Sequence, residues 1–308
     1  MRTAIGIDIG GTKVAIGAVQ EDGEVLASVQ FPTEVEKGPD YAVTQIISSV
    51  SEIIRNYQVI EGIGIGCPGP LDTKRGIVTN PPNLKTWHGY SLVQKIESAF
   101  QLPVRLLNDA DAAALGEYFF TYRKTYKHVL YVTVSTGIGG GIIINGQLYE
   151  GSKSGAGELG HSVIDPKGPL CGCGKSGCLE ALASGTAITR IWKERLVQRG
   201  SQIEPTWSGK ELFAQAAEGD SLAKEVIEEA TTHFALGLSQ AIQTLNPELL
   251  ILGGGVVIGQ PAFYEQVKTK LPHYLLDQHK ESLQIEMASH GTMAGVIGAA
   301  ASILETRK

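Results

Sequence analysis

Four side chains between residues 161 and 178 are the densest set of candidate ligands in this 308-residue chain. His161, Cys171, Cys173 and Cys178 form the pattern H-x9-C-x-C-x4-C, the number and kind of donors that close a tetrahedral zinc site. A closed site of this sort is structural, because it leaves no position open for substrate. Cys-x-Cys is tighter than the Cys-x-x-Cys of zinc fingers, so the spacing alone also fits reduced, buried thiols. Against that reading, the run CGCGKSGC is rich in glycine and has little apolar material to pack without a cross-link. Cys67 stands apart from the other three, an uneven placement that favours a metal over a disulfide framework.

Three glycine-rich segments are suited to a phosphorylated ligand. In DIGGTK, Asp8 ends an apolar run, Gly10 and Gly11 permit a tight turn, and Thr12 and Lys13 lead straight into the next run. Backbone N–H groups in such a turn can hold a polyphosphate. The segment has neither the G-x-G-x-x-G of a dinucleotide fold nor the G-x-x-x-x-G-K-[ST] of a P-loop. PLCGCGKS comes nearest to the latter, but Pro169 stands where its first glycine would be. STGIGGG follows the strand-like HVLYVTV and offers Thr136, Gly137, Gly139 and Gly140. ILGGGV puts Gly253, Gly254 and Gly255 after a buried-strand pattern, where the missing side chains leave a flat adenine room to approach the backbone. Taken singly, the first is equally a plain hairpin and the last equally a strand-to-helix turn.

LNDADAAALGE supplies a carboxylate of a different kind. Asn108 and Asp109 fall at the end of a strand, a firm mount for a catalytic group, and Asp111 falls in the first turn of the helix that follows. The bland alternative for Asp109 is a helix N-cap, worth about 1 kcal/mol, although Asp111 suits that duty better.

The elements that must position these residues come in two similar halves. TAIGIDIG, TKVAIGAV and EVLASVQF read as strands joined by tight turns. YAVTQIISSVSEIIRNY has helical periodicity, EGIGIGC is a buried strand, SLVQKIESAF a helix, VRLLNDA a strand and DAAALGEY a helix. From residue 128 the grammar restarts with HVLYVTVSTGIGGGIIINGQLYEG. It continues through a long helix, SLAKEVIEEATTHFALGLSQAIQTL, the strand ELLILGG, the helix FYEQVKTKL, the strand LQIEMAS and a small-residue helix, TMAGVIGAAASILE. Two such halves imply two domains with a ligand cleft between them, hinged near residues 110 to 125. YEQVKTKLPHYLLDQHKES and SQIEPTWSGKE read as a solvated helix and a loop without chemistry.

Composition narrows the function classes. A net charge of −6 leaves no basic stripe for nucleic acid. No run approaches the roughly 18 apolar residues of a membrane span, and Asp8 with its neighbouring glycines interrupts any signal-peptide core, so a cytoplasmic enzyme is expected.

DIGGTK, STGIGGG and LGGGV resemble, in order, the first phosphate, second phosphate and adenosine motifs of actin-like kinases. The stretch from GELGH through CGCGKSGCLE resembles the signature of the ROK family of sugar kinases and repressors, and the resemblance covers essentially the whole chain. It implies an α/β, duplicated actin-like ATPase (ribonuclease H-like) fold. Residues 1–116 would form a small domain to which helix 293–308 returns, and residues 117–292 a larger domain carrying the zinc loop. It implies an ATP-dependent hexose kinase, most similar to bacterial glucokinases, with Asp109 as the base toward the 6-hydroxyl. The hexose contacts would be Asn108 and Asp109 on the 3-, 4- and 6-hydroxyl side, Glu158, His161 and Glu180 around C1 and C2, with Asn83 and Gly69 as further contacts. ATP would lie along Asp8 to Lys13, Thr136 to Gly140 and Gly253 to Gly255, with Mg²⁺ at Asp8. Zn²⁺ would sit on His161, Cys171, Cys173 and Cys178, and the protein would be a homodimer. N-acetylmannosamine, N-acetylglucosamine and fructose kinases occur in the same family. A sugar-sensing repressor would carry an added helix-turn-helix ahead of the first strand, which here begins by residue 3.

Overall fold

The computed structural model describes residues 1–57, 59–204 and 206–305. Two compact units result, one made of Met1–Val129, Gly141–Gly157 and the chain from Ser289 onward, the other of Leu130–Gly140 and Glu158–Ala288.

The first unit is built on β1 (Thr3–Ile9), β2 (Lys13–Gln20), β3 (Val25–Pro32), β4 (Ile63–Cys67), a small ribbon of β5 (Leu71–Asp72) and β6 (Ile77–Val78), and β7 (Val104–Asn108). Its helices are α1 (Pro39–Ile54), α2 (Leu92–Phe100) and α3 (Asp109–Glu117), and it also holds the last helix of the chain. Among the described residues the main sheet has the order β3-β2-β1-β4-β7, antiparallel across the first three strands and parallel across the rest. β4 is apolar or glycine throughout and buried along its whole length, as a strand covered on both faces must be. α1 starts at Pro39, whose fixed φ suits the first helical turn, and buries Val43, Ile46, Val50 and Ile53 on one face.

The second half of the chain gives β8 (Val129–Val134), β9 (Ile138–Ile144), β10 (Gln147–Leu148), α4 (Leu179–Ala183), α5 (Gly185–Gln198), α6 (Gly209–Glu218), α7 (Ser221–Leu245), β11 (Leu249–Gly253), α8 (Gly255–Gly259), α9 (Pro261–Lys270), α10 (Asp277–Ser282), β12 (Gln284–Met287) and α11 (Ala294–Leu304). Its sheet has the order β10-β9-β8-β11-β12 among the described residues. α7 covers the residues that its periodicity marks: Asp220 caps it by accepting from Ala223 N–H at 2.6 Å, and Asn246 ends it in the left-handed region.

α11 explains the small-residue run at the end of the sequence. It packs on β1, β4 and α3, and Gly298 lies against the backbone of Ala112 so closely that no larger residue fits. Val296 through Leu304 are all buried. No helix among the described residues is long and apolar enough to cross a membrane.

Candidate active site

In the first unit, strand register gathers the acidic groups. Asp8 near the end of β1 is the parallel partner of Gly66 in β4, and Cys67 is the partner of Asn108 in β7. Asp8, Cys67 and Asp109 thus share the carboxyl ends of three neighbouring strands, the place where parallel sheets bind ligands. Burial, then the negative charge of Asp109, pushes the Asp8 carboxyl up to about 6, with Lys13 pulling the other way. Burial pushes the Cys67 thiol up as well, helped by Asp109 and Asp8. The cap of α3 is neither Asp109 nor Asp111 but Asn108, whose Oδ1 accepts from Ala110 N–H at 2.9 Å. Asp109 is the first helical residue, and its Oδ1 also accepts from Ala110 N–H. A carboxylate in the first turn lies at the positive end of the helix.

The turn between β1 and β2 closes with Gly10 N–H donating to the Lys13 carbonyl at 2.8 Å. Thr33, fully buried, fixes it from the far end of β3: its Oγ1 donates to the Gly10 carbonyl at 2.6 Å, and its N–H to the Thr12 carbonyl at 3.1 Å. Lys13 Nζ rests on Gln30 Oε1 at 3.3 Å. Asn83 packs beside the turn, its carbonyl oxygen 3.1 Å from where a Cβ on Gly11 would be, and Gly69 lies similarly against Asn108 Nδ2 at 3.2 Å. Asp8, Gly10, Gly11, Asn83, Gly69, Asn108 and Asp109 therefore occupy one end of one sheet.

A further buried carboxylate holds this end together. Glu117, at the last position of α3, accepts from Ser289 N–H and His290 N–H through Oε1 and from Ser289 Oγ through Oε2, at 2.8 to 2.9 Å. It anchors the segment leading into α11, whose Gly295 faces Asp8: a Cβ there would come within 2.6 Å of Asp8 Oδ2.

In the second unit, the turn Ser135–Gly137 joins β8 to β9, with Ser135 N–H donating to the Gly137 carbonyl at 2.9 Å. Ser135 and Thr136 are exposed on it, whereas Gly139 and Gly140 lie within β9. Beside the turn opens a cavity of about 1100 Å³. Ser135, Thr136 and Gly255 line one side, and Ile188, Val197, Trp207, Phe213 and Val256 give it an apolar wall. Trp207 stacks on the buried Trp192 with ring centroids 5.2 Å apart. The segment SQIEPTWSGKE is therefore not without a role, since Ile203, Trp207, Ser208, Gly209 and Lys210 all face the cavity. Of Gly253, which ends β11, and Gly254 and Gly255, which follow it, only Gly255 lines the cavity. Gly254 has φ +89°, and a Cβ on it would meet Thr133 Oγ1 at 2.6 Å, so strand packing accounts for that glycine.

The cysteine knot assembles as its spacing predicts. The ligand atoms of His161, Cys171, Cys173 and Cys178 all lie within 4.8 Å of one another. His161 Nδ1 is 3.6 Å from Cys171 Sγ, and Cys173 Sγ is 3.6 Å from Cys178 Sγ. A tetrahedron with Zn–S bonds of about 2.3 Å has edges of about 3.8 Å, so the four donors fit that ion. Burial raises the Cys171 and Cys178 thiols, the latter up to about 12, while the backbone at Lys175 lowers Cys173. With Nδ1 turned to the thiols, His161 Nε2 faces Glu158, 3.9 Å from its Oε2. Glu158 is exposed and Glu180 half-buried, in the first turn of α4.

Two mixed five-stranded sheets, each with a glycine-bearing hairpin turn, define an actin-like ATPase fold. Residues 4–306 match the ROK family, and the chain belongs to it. It is 34% identical to a glucokinase of Thermotoga maritima over 308 residues, 98% of this chain and 97% of the relative. It is also 34% identical to an N-acetylmannosamine kinase of Yersinia pestis over 306 residues, 97% of this chain and 98% of that one. A crystal structure of a ROK family glucokinase from Streptomyces griseus, in complex with glucose and AMPPNP, superposes with a TM-score of 0.82 at 33% identity, covering 97% of this chain and 98% of that one.

Proposed function

We propose that this protein transfers the γ-phosphoryl group of ATP to the 6-hydroxyl of glucose, with Asp109 as the general base. It is an ATP-dependent sugar kinase. The observation that carries the assignment of the base is the placement of Asp109 at the carboxyl end of a parallel strand, charge-coupled to Asp8 beside the Gly10–Lys13 turn.

Transfer of a phosphoryl group needs a positioned hydroxyl, an acceptor for its proton and neutralised phosphate charge. Asp109 takes the proton from the 6-hydroxyl. Asn108 spends its Oδ1 on the cap of α3, which leaves its amide N–H groups to donate to the neighbouring hydroxyls. Asn83 and Gly69 add contacts on that side, and Glu158, His161 Nε2 and Glu180 hold the hydroxyls at C1 and C2. The nucleoside enters the apolar cavity against Trp207, lined by Thr136 and Gly255, and the backbone amides of Gly10 to Lys13 are candidates to hold its phosphates. Asp8 would hold Mg²⁺, directly or through water, and the ion would supply charge neutralisation at the phosphates. A zinc ion on His161, Cys171, Cys173 and Cys178 would be structural, fixing the loop that carries Glu158 and leads into Glu180. The apolar cavity favours a nucleotide over inorganic polyphosphate as the donor, because a polyanion gains nothing from an apolar wall.

The test of the base is Asp109→Asn. Glucose affinity should stay within a few-fold while turnover falls by roughly 10²–10⁴; near-normal turnover would end the assignment. The relative of equal identity in Yersinia pestis gives N-acetylmannosamine as the second reading. A panel of glucose, N-acetylmannosamine, N-acetylglucosamine and fructose decides it: kcat/KM should be highest for glucose, and a preference for an N-acetyl sugar would replace glucose as the substrate.

A further inference from the structure

Glu180 has a bond that its place in a hexose pocket does not require. Its Oε2 accepts from the N–H of Ile138 at 3.0 Å, forty-two positions away in the chain. Ile138 is the first residue of β9, directly after the Ser135–Gly137 turn. Five residues beyond Glu180, the N–H of Gly185 donates to the Ser135 carbonyl at 2.8 Å. The stretch from Glu180 to Gly185 thus grips the turn at both of its feet, once through a side chain and once through the backbone. A Cβ on Gly137 would run into Glu180 Oε2, with Cδ 3.3 Å away, so a larger residue there would displace the carboxylate. Among the described residues, Oε1 of Glu180 takes no hydrogen bond from the protein.

We propose that Glu180 is a positioning residue for the nucleotide, the group through which an occupied hexose pocket sets the second phosphate turn. Oε2 holds Ile138 N–H, and Oε1 accepts a sugar hydroxyl. The second half of this statement rests on the hexose-kinase reading; the first half stands on the geometry alone. A hydroxyl donated to Oε1 pins the carboxylate plane and keeps Oε2 on the Ile138 N–H, so the turn is ordered when ATP arrives. Coupling of this kind is reciprocal: hexose must tighten nucleotide by the same factor that nucleotide tightens hexose. It also predicts crossed effects, in which a change to the sugar carboxylate weakens nucleotide binding and a change to the phosphate turn weakens sugar binding.

The experiment measures binding of a non-hydrolysable ATP analogue with Mg²⁺ and of glucose, separately and together, by titration calorimetry on the zinc-loaded full chain. Without sugar, Glu180→Gln should bind the analogue within about twofold of the parent, because the Gln carbonyl can still accept from Ile138 N–H, while Glu180→Ala should bind it roughly tenfold more weakly. With glucose present, the parent should gain about fivefold or more in analogue affinity, and Glu180→Gln should lose that gain. Gly137→Ala, made in the turn, should weaken glucose binding roughly tenfold in the absence of any nucleotide. Melting and zinc content check the fold of each variant; should Glu180→Ala not fold, the Gln and Gly137→Ala arms decide. Parent-like analogue affinity in Glu180→Ala, or parent-like glucose affinity in Gly137→Ala, overturns the proposal. A parent that phosphorylates no hexose would remove the kinase reading, and the sugar-free analogue titrations would still decide whether Glu180 holds the turn.

Discussion

Replacing Asp8 by Asn should abolish phosphoryl transfer and, at neutral pH without Mg²⁺, make the protein more stable. The carboxyl is raised from 3.8 to about 6, mainly by burial and then by Asp109. A carboxylate whose folded pKa lies above its unfolded value is held protonated by the fold, so the folded state binds more protons between those two values. Stability then falls as pH rises from about 4 to about 6 and stays low above that. The distance between 3.8 and about 6 corresponds to about 3 kcal/mol at neutral pH. Asp8 keeps some contact with solvent, which trims the expectation to roughly 2–3 kcal/mol. Asn has the same shape and no charge, so Asp8→Asn should recover that amount. At about 2–4 °C per kcal/mol for domains of this size, the melting temperature should rise by roughly 5–10 °C.

The pH dependence separates this from a packing effect. The linkage between the two pKa values leaves roughly half of that gain at pH 5 and little of it at pH 4. Urea denaturation of parent and variant at pH 4, 5 and 7.5, in Mg²⁺-free buffer with zinc retained, measures it. A variant equally stabilised at all three values, or destabilised at pH 7.5, would refute the reasoning. Asp109→Asn should give a smaller gain, because Asp109 is the second cause and not the first, and the double variant should fall short of the sum. A charge held against its own solvation is a familiar cost at functional sites.

Three other outcomes follow from the structure. Chelating zinc should lower the melting temperature and weaken glucose binding by roughly 10–100-fold, reversibly on adding zinc back; unchanged melting and affinity would mean that His161, Cys171, Cys173 and Cys178 hold nothing. Glu117→Ala should cost about 3–5 kcal/mol in urea denaturation by stranding the donors of Ser289 and His290, and Glu117→Gln should cost far less because its carbonyl keeps the two backbone bonds. Trp207→Ala should raise the KM for ATP about tenfold with little change in that for hexose, and an unchanged KM for ATP would place the nucleoside outside the cavity.

What could be read from the sequence, and what could not, divides by the range of the interactions. β1, β2 and β3 are legible because their apolar runs are punctuated by tight turns, and α7 because one apolar stripe persists over seven turns with Asp220 and Asn246 at its ends. The cluster of His161, Cys171, Cys173 and Cys178 is legible because three of its members lie within eight residues. α5 and α6 are harder: in GTAITRIWKERLVQ the apolar positions alternate with charges, and only Ala187, Ile188 and Trp192 are buried. The cavity they form draws its walls from residues between 135 and 260, a conjunction that periodicity cannot express. Thr33 and Glu117 escape notice for the same reason, since their partners stand 23 and more than 170 positions away.

Asp109 shows how local rules mislead beside a functional group. Capping logic gives an Asp at a strand–helix junction an ordinary task, yet Asn108 performs it and Asp109 sits one residue later, at the positive end of α3. Both side chains reach the same donor, since Asn108 Oδ1 and Asp109 Oδ1 each accept from Ala110 N–H at 2.9 Å. As first helical residue Asp109 is placed by the β7 register and by the grip of Glu117 on the far end of α3. That arrangement keeps the carboxylate near Asp8 while α11, pressed in by Gly295 and Gly298, closes the other side. The position of Asp109 is therefore a property of how α3 and α11 pack, and under the proposed mechanism substitutions at Glu117 should disturb kcat as well as stability.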